Sequence, residues 1–146
     1  MIKLNRKIEY ALMALQCLDQ SKGPSANVEL SLMPQIPAKE IAEKIGAPFD
    51  VAARVLQVLS QHQWVDVEHG ARGGYRLRKS LDKATMKDLI EIIDGPVAVV
   101  KCQQTKTVCE IQNHCRIVSP MQELNTKLVN FCADIKLKDL LGASHV

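Results

Sequence analysis

Aromatic residues, long apolar runs and an even set of cysteines are what this 146-residue chain lacks. Phe, Trp and Tyr together make up 3% of it, and there is no internal repeat. No apolar run approaches the roughly 18 residues of a membrane-spanning helix, and nothing opens like a signal peptide. We therefore expect a cytoplasmic protein without a membrane partner. The 5 cysteines are an odd number, which without an export signal argues for reduced thiols rather than a disulfide framework. Strong charge is also missing: 19 Lys and Arg against 16 Asp and Glu leave +3, so affinity for nucleic acid must come from a local patch. No nucleophile–base set stands out, which argues against a hydrolytic enzyme. The length suits one domain, or a small domain plus an appendage, with enough chain to bury a core.

What is present centres on Lys101 to Arg116, KCQQTKTVCEIQNHCR. Cys102, Cys109 and Cys115 lie there with the spacing Cys-x6-Cys-x5-Cys, among polar residues and with only Val108 and Ile111 for a core. A lone cysteine is usually a small buried hydrophobe. Three on one polar loop suggest ligands, because thiolates gathered on a metal can order a segment that packing cannot. Zinc knuckles are usually shorter, Cys-x2-4-Cys, whereas the longer intervals here can wrap the wider core of an iron–sulfur cluster. A cluster, a zinc site and a pair of redox thiols all remain open on spacing alone. The loop lacks a fourth ligand, for which His114 is the local candidate. Cys17 and Cys132, by contrast, fall near apolar helical faces and read as core.

Taken in order, Leu4, Ile8, Ala11, Leu12, Leu15 and Leu18 predict an amphipathic helix over 4–20, with Glu9 a first-turn carboxylate beside the apolar stripe. Residues 21–37 read as a loop or ribbon. Pro37 suits a first helical position, Ile41 and Ile45 face inward, and Gly46 suits a helix stop. Pro48 opens a second helix with Val51, Val55, Leu56 and Leu59 inward. Two short helices joined by a glycine turn are the helix-turn-helix signature, although any helical hairpin would share it. The alternating stretches 64–68 and 75–78 flank the tip HGARGG and predict a β-hairpin wing. Arg72, Arg76, Arg78 and Lys79 give that wing positive charge for phosphate contact, while the second helix reads sequence.

Thr85 to Asp88 resembles a capping box opening a short helix, which Gly95-Pro96 closes. After the cysteine loop, Ser119 suits an N-cap, Pro120 the first helical position and Gln122 the third. Met121, Leu124, Leu128, Phe131 and Ile135 are spaced 3-4-3-4, a seam suited to a dimer contact. A homodimer would set two recognition helices on successive major grooves of double-stranded DNA. Residues 137–146 hold one short apolar turn and then fray. The expected fold is mainly α with a small β-hairpin. A winged helix-turn-helix spans 1–96, a cysteine loop 97–118, and a long dimerisation helix with its tail 119–146.

The stretches KLNRKIEYAL, IPAKEIAEKIG with VLQVLSQHQWV, GARGGYRL, the triple cysteine and CRIVSPMQELNTKL resemble the IscR/NsrR family of iron–sulfur winged-helix regulators. The resemblance runs over almost the whole chain, and the wing glycines with Tyr75 and the cysteines are its most specific parts. It implies a homodimeric transcription regulator, a repressor, with one [2Fe-2S] or [4Fe-4S] cluster per subunit on Cys102, Cys109 and Cys115. Biogenesis-type members add a histidine three residues after the last cysteine, where this chain has Val118. Nitric-oxide-sensing members add a carboxylate from the partner, at the position matching Glu9. The base-reading positions correspond to Phe49, Asp50, Ala53, Arg54 and Gln57. Arg54 suits guanine and Gln57 adenine. Ala53 stands where the biogenesis regulator has a glutamate, and His69 where an arginine is more usual. Lys39, Arg72, Gly73 and Tyr75 complete the expected DNA contacts. The competing expectation keeps the DNA-binding module but makes the cysteines a thiol-redox switch or a structural zinc site. An iron–sulfur electron carrier would need neither wing nor recognition helix.

Overall fold

The first helix, α1 (Arg6–Gln20), supplies the surface on which the other elements assemble. A computed structural model of the chain describes residues 3–23, 29–103 and 108–142. Asn5 caps α1, its side chain accepting from the Lys7 amide at 2.9 Å, so the helix begins two residues later than the apolar spacing predicts. Ile8, Ala11, Ala14, Leu15 and Leu18 are each no more than 2% exposed. Fully burying one such large aliphatic side chain is worth about 1.5–3 kcal/mol.

Helices α2 (Ala38–Ile45) and α3 (Phe49–Gln61) pack on one another and on α1. Gly46 ends α2 in the left-handed region at φ 67°, where a residue with a side chain is strained, and its amide reaches back to the Ala42 and Glu43 carbonyls. This turn aims α3 away from α2 as a helix-turn-helix requires. Pro37 and Pro48 each sit one residue before their helix, with extended ψ, rather than at its first position. Their carbonyls accept from Ile41 and Ala52 at 3.0 Å, which proline can do without needing the amide it lacks.

The wing is β1 (Val65–Glu68) antiparallel to β2 (Gly74–Leu77), with Val65 opposite Leu77 and Asp66 opposite Arg76. The expected loop before α2 also contributes: Ile36 exchanges two backbone hydrogen bonds with Tyr75, at 2.9 and 2.8 Å. That short third rung fixes the wing to the start of the helix-turn-helix. The capping box of α4 (Met86–Asp94) is present in both directions, Thr85 to Asp88 and Asp88 to Thr85. Desolvation alone would push the Asp88 carboxyl up. The Thr85 hydrogen bonds and the nearby Lys79 and Lys87 outweigh it and hold the group below its ordinary value.

Helix α5 (Val118–Asp134) corrects one expectation. It begins at Val118 with Ile117 as an uncapped flanking residue, so Ser119 and Pro120 lie inside the first turn and Ser119 is not the N-cap. Pro120 is tolerated there because first-turn amides have no intrahelical partner. Ile135 falls just outside α5, where its carbonyl accepts from Met86 at 2.9 Å. The chain then returns to the head through α6 (Leu137–Gly142), burying Leu137 completely. Residues 143–146, where fraying is expected, lie outside the described residues.

A Cβ on Gly74 would stand 2.5 Å from the Ile36 carbonyl carbon and 2.8 Å from the Pro37 nitrogen, both backbone atoms that cannot rotate away. Gly74→Ala is expected to open the Ile36–Tyr75 rung and cost about 1–3 kcal/mol in urea denaturation. Unchanged stability together with unchanged amide exchange at Tyr75 would show that the wing is not anchored there.

Candidate nucleic-acid interface

Helix α3 is two-sided. Ala52, Val55, Leu56 and Leu59 are buried against the head, while Phe49, Asp50, Arg54 and Gln57 are exposed and Ala53 is half-buried. Positions 49, 50, 53, 54 and 57 share one face of an α-helix, so the structure places all five expected reading residues together. Asp50 in the first turn also complements the helix dipole. Lys39 is exposed on the first turn of α2. An exposed helix face with a guanidinium, an amide and apolar groups has the donor and contact repertoire that base edges in the major groove require.

On the wing, His69 and Arg72 are exposed at the tip and Gly73 is half-buried beside them. Tyr75 is half-buried against the core, and burial pushes its phenol up, so the hydroxyl stays protonated at neutral pH. Its backbone holds the rung to Ile36, which makes it a support of the wing. The charge pattern differs from the expectation of an unopposed basic strand. Asp66 lies across the hairpin, 3.9 Å from Arg76 Nε and 3.4 Å from Arg78 Nη1. Arg76 also donates to the Ser31 carbonyl at 3.0 Å, and the Lys79 ammonium sits 4.8 Å from the centroid of the Trp64 ring. Among the described residues, Arg72 has no acidic partner. The Asp66 pairing follows from strand register, which the alternation pattern alone did not specify.

A cleft of about 430 Å³ runs along α3, with Val51, Val55, Val58 and Ile93 as its floor. Arg54, Asp50 and Gln57 line its α3 side, and Lys7 of α1 lines it too. The first turn of α1 and the exposed face of α3 therefore meet at one groove, a feature no sequence motif announced. Glu9, two residues from Lys7, is bound to Arg6 Nη1 at 2.6 Å. An exposed pair of this kind is worth only about 0.2–1 kcal/mol, so Glu9 is easily released to another partner.

The cysteines divide as expected. Cys17 and Cys132 are half-buried and packed against the core. Desolvation pushes both thiols up; for Cys17 the nearby Lys44 pulls the other way and Glu40 adds to the rise. Cys102 is exposed, Cys109 and Cys115 are half-buried, and among the described residues the segment around them has 3-10 turns at Lys101–Gln103 and Gln112–His114. Val108 is 86% exposed and Ile111 64%, so neither anchors the loop. Three reduced thiols on an unpacked segment fit a thiolate-bound metal centre by their chemistry. The single chain does not draw them together: among the described residues no three His, Cys, Asp or Glu side chains converge as a metal site. His114 is exposed, and Val118 begins α5 with no ligating atom. Residues 104–107 of the loop lie outside the described residues.

The model of the Rrf2 family, described as an iron-dependent transcriptional regulator, matches residues 4–143. The chain belongs to the Rrf2 family. It is 24% identical over 147 residues to the HTH-type transcriptional regulator IscR of Sodalis glossinidius, covering 99% of this chain and 82% of that one. Its fold is similar to that of CymR, the global cysteine regulator of B. subtilis (TM-score 0.71, 21% identity, 99% and 100% of the two chains). It is likewise similar to T. potens IscR (TM-score 0.67, 20% identity, 99% and 89%). The winged-helix architecture is that of these regulators, and this Rrf2-family chain is a transcriptional regulator rather than an enzyme. No helix among the described residues is long and apolar enough to cross a membrane.

Thiol chemistry follows from packing: Cys17 and Cys132 lie against the core with their thiols pushed up by desolvation, whereas Cys102 is exposed and Cys109 and Cys115 do not pack on the core. With the folded protein and a maleimide at neutral pH, Cys102, Cys109 and Cys115 are expected to react promptly and Cys17 and Cys132 slowly, all five equalising in denaturant. Rapid native labelling of Cys17 would mean that the head is looser than described.

Proposed function

We propose that the chain is a homodimeric, sequence-specific repressor whose operator affinity is set by an iron–sulfur cluster, [2Fe-2S] or [4Fe-4S], on the segment 97–118. The observation that carries this reading is the pairing, in one Rrf2-family chain, of a surface face on α3 with Phe49, Asp50, Arg54 and Gln57 exposed and three reduced thiols on a polar loop. The head, 1–96, binds double-stranded DNA. Phe49, Asp50, Ala53, Arg54 and Gln57 face the bases, and Lys39, His69, Arg72 and Gly73 lie at the backbone or along the groove. As a regulator that binds an operator, the protein acts in the cytoplasm.

The region 119–146 dimerises. Helix α5 buries no residue within its own chain, and Leu124 and Phe131 are 40% and 64% exposed on its apolar seam. Crossing two such helices covers both seams and sets the two α3 helices about one turn of DNA apart.

Cys102, Cys109 and Cys115 hold the cluster as thiolates, with Glu9 of the partner subunit as the fourth ligand. When bound, the cluster supplies a thiolate-coordinated inorganic core whose loss or change reports a chemical signal. Everything else is done by the chain. Glu9 exchanges Arg6 for its new partner, which restrains the first turns of α1. Lys7 in those turns borders the groove along α3, so α1 has a direct route to Arg54 and Gln57. The effect on DNA affinity equals the difference in stabilisation between two arrangements of the heads, commonly about 1–3 kcal/mol or 5–150-fold.

One observation favours a second reading. Among the described residues no three His, Cys, Asp or Glu side chains converge, and the fold is also similar to that of a regulator named for cysteine. The same loop would then act as a thiol-redox switch, or hold zinc, with the DNA-binding head unchanged.

The DNA assignment is tested by two variants. Arg72→Ala is expected to weaken binding to all sequences and to flatten the salt dependence by about one phosphate contact. Arg54→Ala is expected to relax preference at particular base pairs by about 1–3 kcal/mol each. Two sequence-neutral variants would remove Arg54 from the reading face.

The loop is tested by anaerobic purification with iron and sulfide analysis and absorption spectroscopy. A brown protein that loses its iron in Cys102→Ala, Cys109→Ala or Cys115→Ala, and keeps it in Cys17→Ala and Cys132→Ala, is the expected result. Glu9→Ala should alter the spectrum and weaken the dependence of operator affinity on the cluster, while His114→Ala changes neither. A colourless protein whose affinity follows thiol oxidation, or one holding a single zinc, would establish the second reading instead.

A further inference from the structure

Arg54 and Gln57 are the polar half of the α3 face; its apolar half has a job of its own. Phe49 is the first residue of α3 and is 56% exposed, although it is one of only 2 phenylalanines in the chain. It belongs neither to the buried core nor to the partly buried side chains packed against it. Ala53 follows at i+4, one turn along, so its methyl lies beside the ring on the same face. The two Cα atoms are separated by roughly 6 Å along the helix axis, from a rise of 1.5 Å per residue. That is about two base-pair steps at 3.4 Å each.

An aromatic ring at the N-terminal end of a recognition helix stands where such helices reach base edges. Of the groups displayed in the major groove, only the 5-methyl of thymine is apolar, and Phe and Ala side chains are suited to contact it. Neither side chain attracts phosphate, so an apolar strip here contributes to selectivity without contributing to general affinity for DNA. We propose that Phe49 and Ala53 form a methyl-reading strip that selects thymines one to two base pairs apart in each operator half-site, beside the polar contacts of Arg54 and Gln57. The proposal rests on the assignment of α3 as the DNA-reading helix and names what its apolar part recognises.

Deoxyuridine differs from thymidine only by the missing 5-methyl, which makes the test specific. The full-length protein first selects its operator from a random duplex pool, and each thymine of the selected half-site is then replaced by deoxyuridine. Wild type is expected to lose about fourfold in affinity at one or two of these positions, the effect of one buried methyl. Phe49→Ala is expected to bind the thymine operator more weakly, to lose that penalty at the position the ring contacts, and to keep the wild-type salt slope. Phe49→Leu, which retains apolar contact, should preserve part of the penalty, and a wild-type circular dichroism spectrum and melting temperature for Phe49→Ala show that the helix has not simply unfolded. A defined operator whose binding is indifferent to every deoxyuridine, or a Phe49→Ala protein with the wild-type penalty intact, overturns this inference and leaves the DNA-reading assignment standing. A pool from which no sequence emerges overturns that assignment, and the inference with it.

Discussion

Burial of one face of α1 is the interaction on which the rest of the molecule depends. Helices α2, α3, α4 and α6 and strand β2 all touch this helix, and Ala11, Leu15 and Leu18 are fully enclosed by them. Stability of the head is therefore concentrated in a rod whose N-terminal turns nevertheless reach the surface. Glu9 and Lys7 occupy those turns, so the helix at the centre of the core also borders the cleft along α3.

Outside the head the physics is reversed. Helix α5 has no buried residue, and the cysteine segment has two exposed aliphatics in place of a core. An apolar seam left in water forgoes the main favourable term in folding, and a polar loop without packing cannot offset its own conformational entropy. Each segment is therefore incomplete as a single chain. The proposed second copy and metal centre would complete both segments, and α5 is already tied to the rest of the chain: the Val99 amide donates to the Asn125 side chain at 3.0 Å in mid-helix, and Leu137, just past its end, is fully buried.

The wing shows how charge is rationed. Asp66 faces Arg76 and Arg78 across the hairpin, so those cations brace the strands while Arg72 at the tip stays available. The rung from Ile36 to Tyr75 and the tight approach at Gly74 then hold this tip in a fixed relation to α3. DNA contacts from helix and wing demand such a relation, because both must meet one duplex at once.

Periodicity by itself determined the helices, the hairpin and the inward faces of α1, α2 and α3, since burial on one side repeats every 3.6 or 2 residues. The glycine stop at Gly46 and the Thr85 capping box were equally local, and so legible. The choice of Phe49, Arg54 and Gln57 as reading positions came from the family resemblance, and helical geometry then sets them on one face. Tertiary structure decided what depends on neighbours distant in the chain. It paired Ile36 with Tyr75 and Asp66 with Arg76 and Arg78, since register joins residues that the sequence does not relate. It also drew Lys7 and Arg54 to one groove. The cysteine spacing set three thiols on one polar segment but left cluster, zinc and redox chemistry open, because ligation depends on where the thiols meet in space and not on their intervals alone.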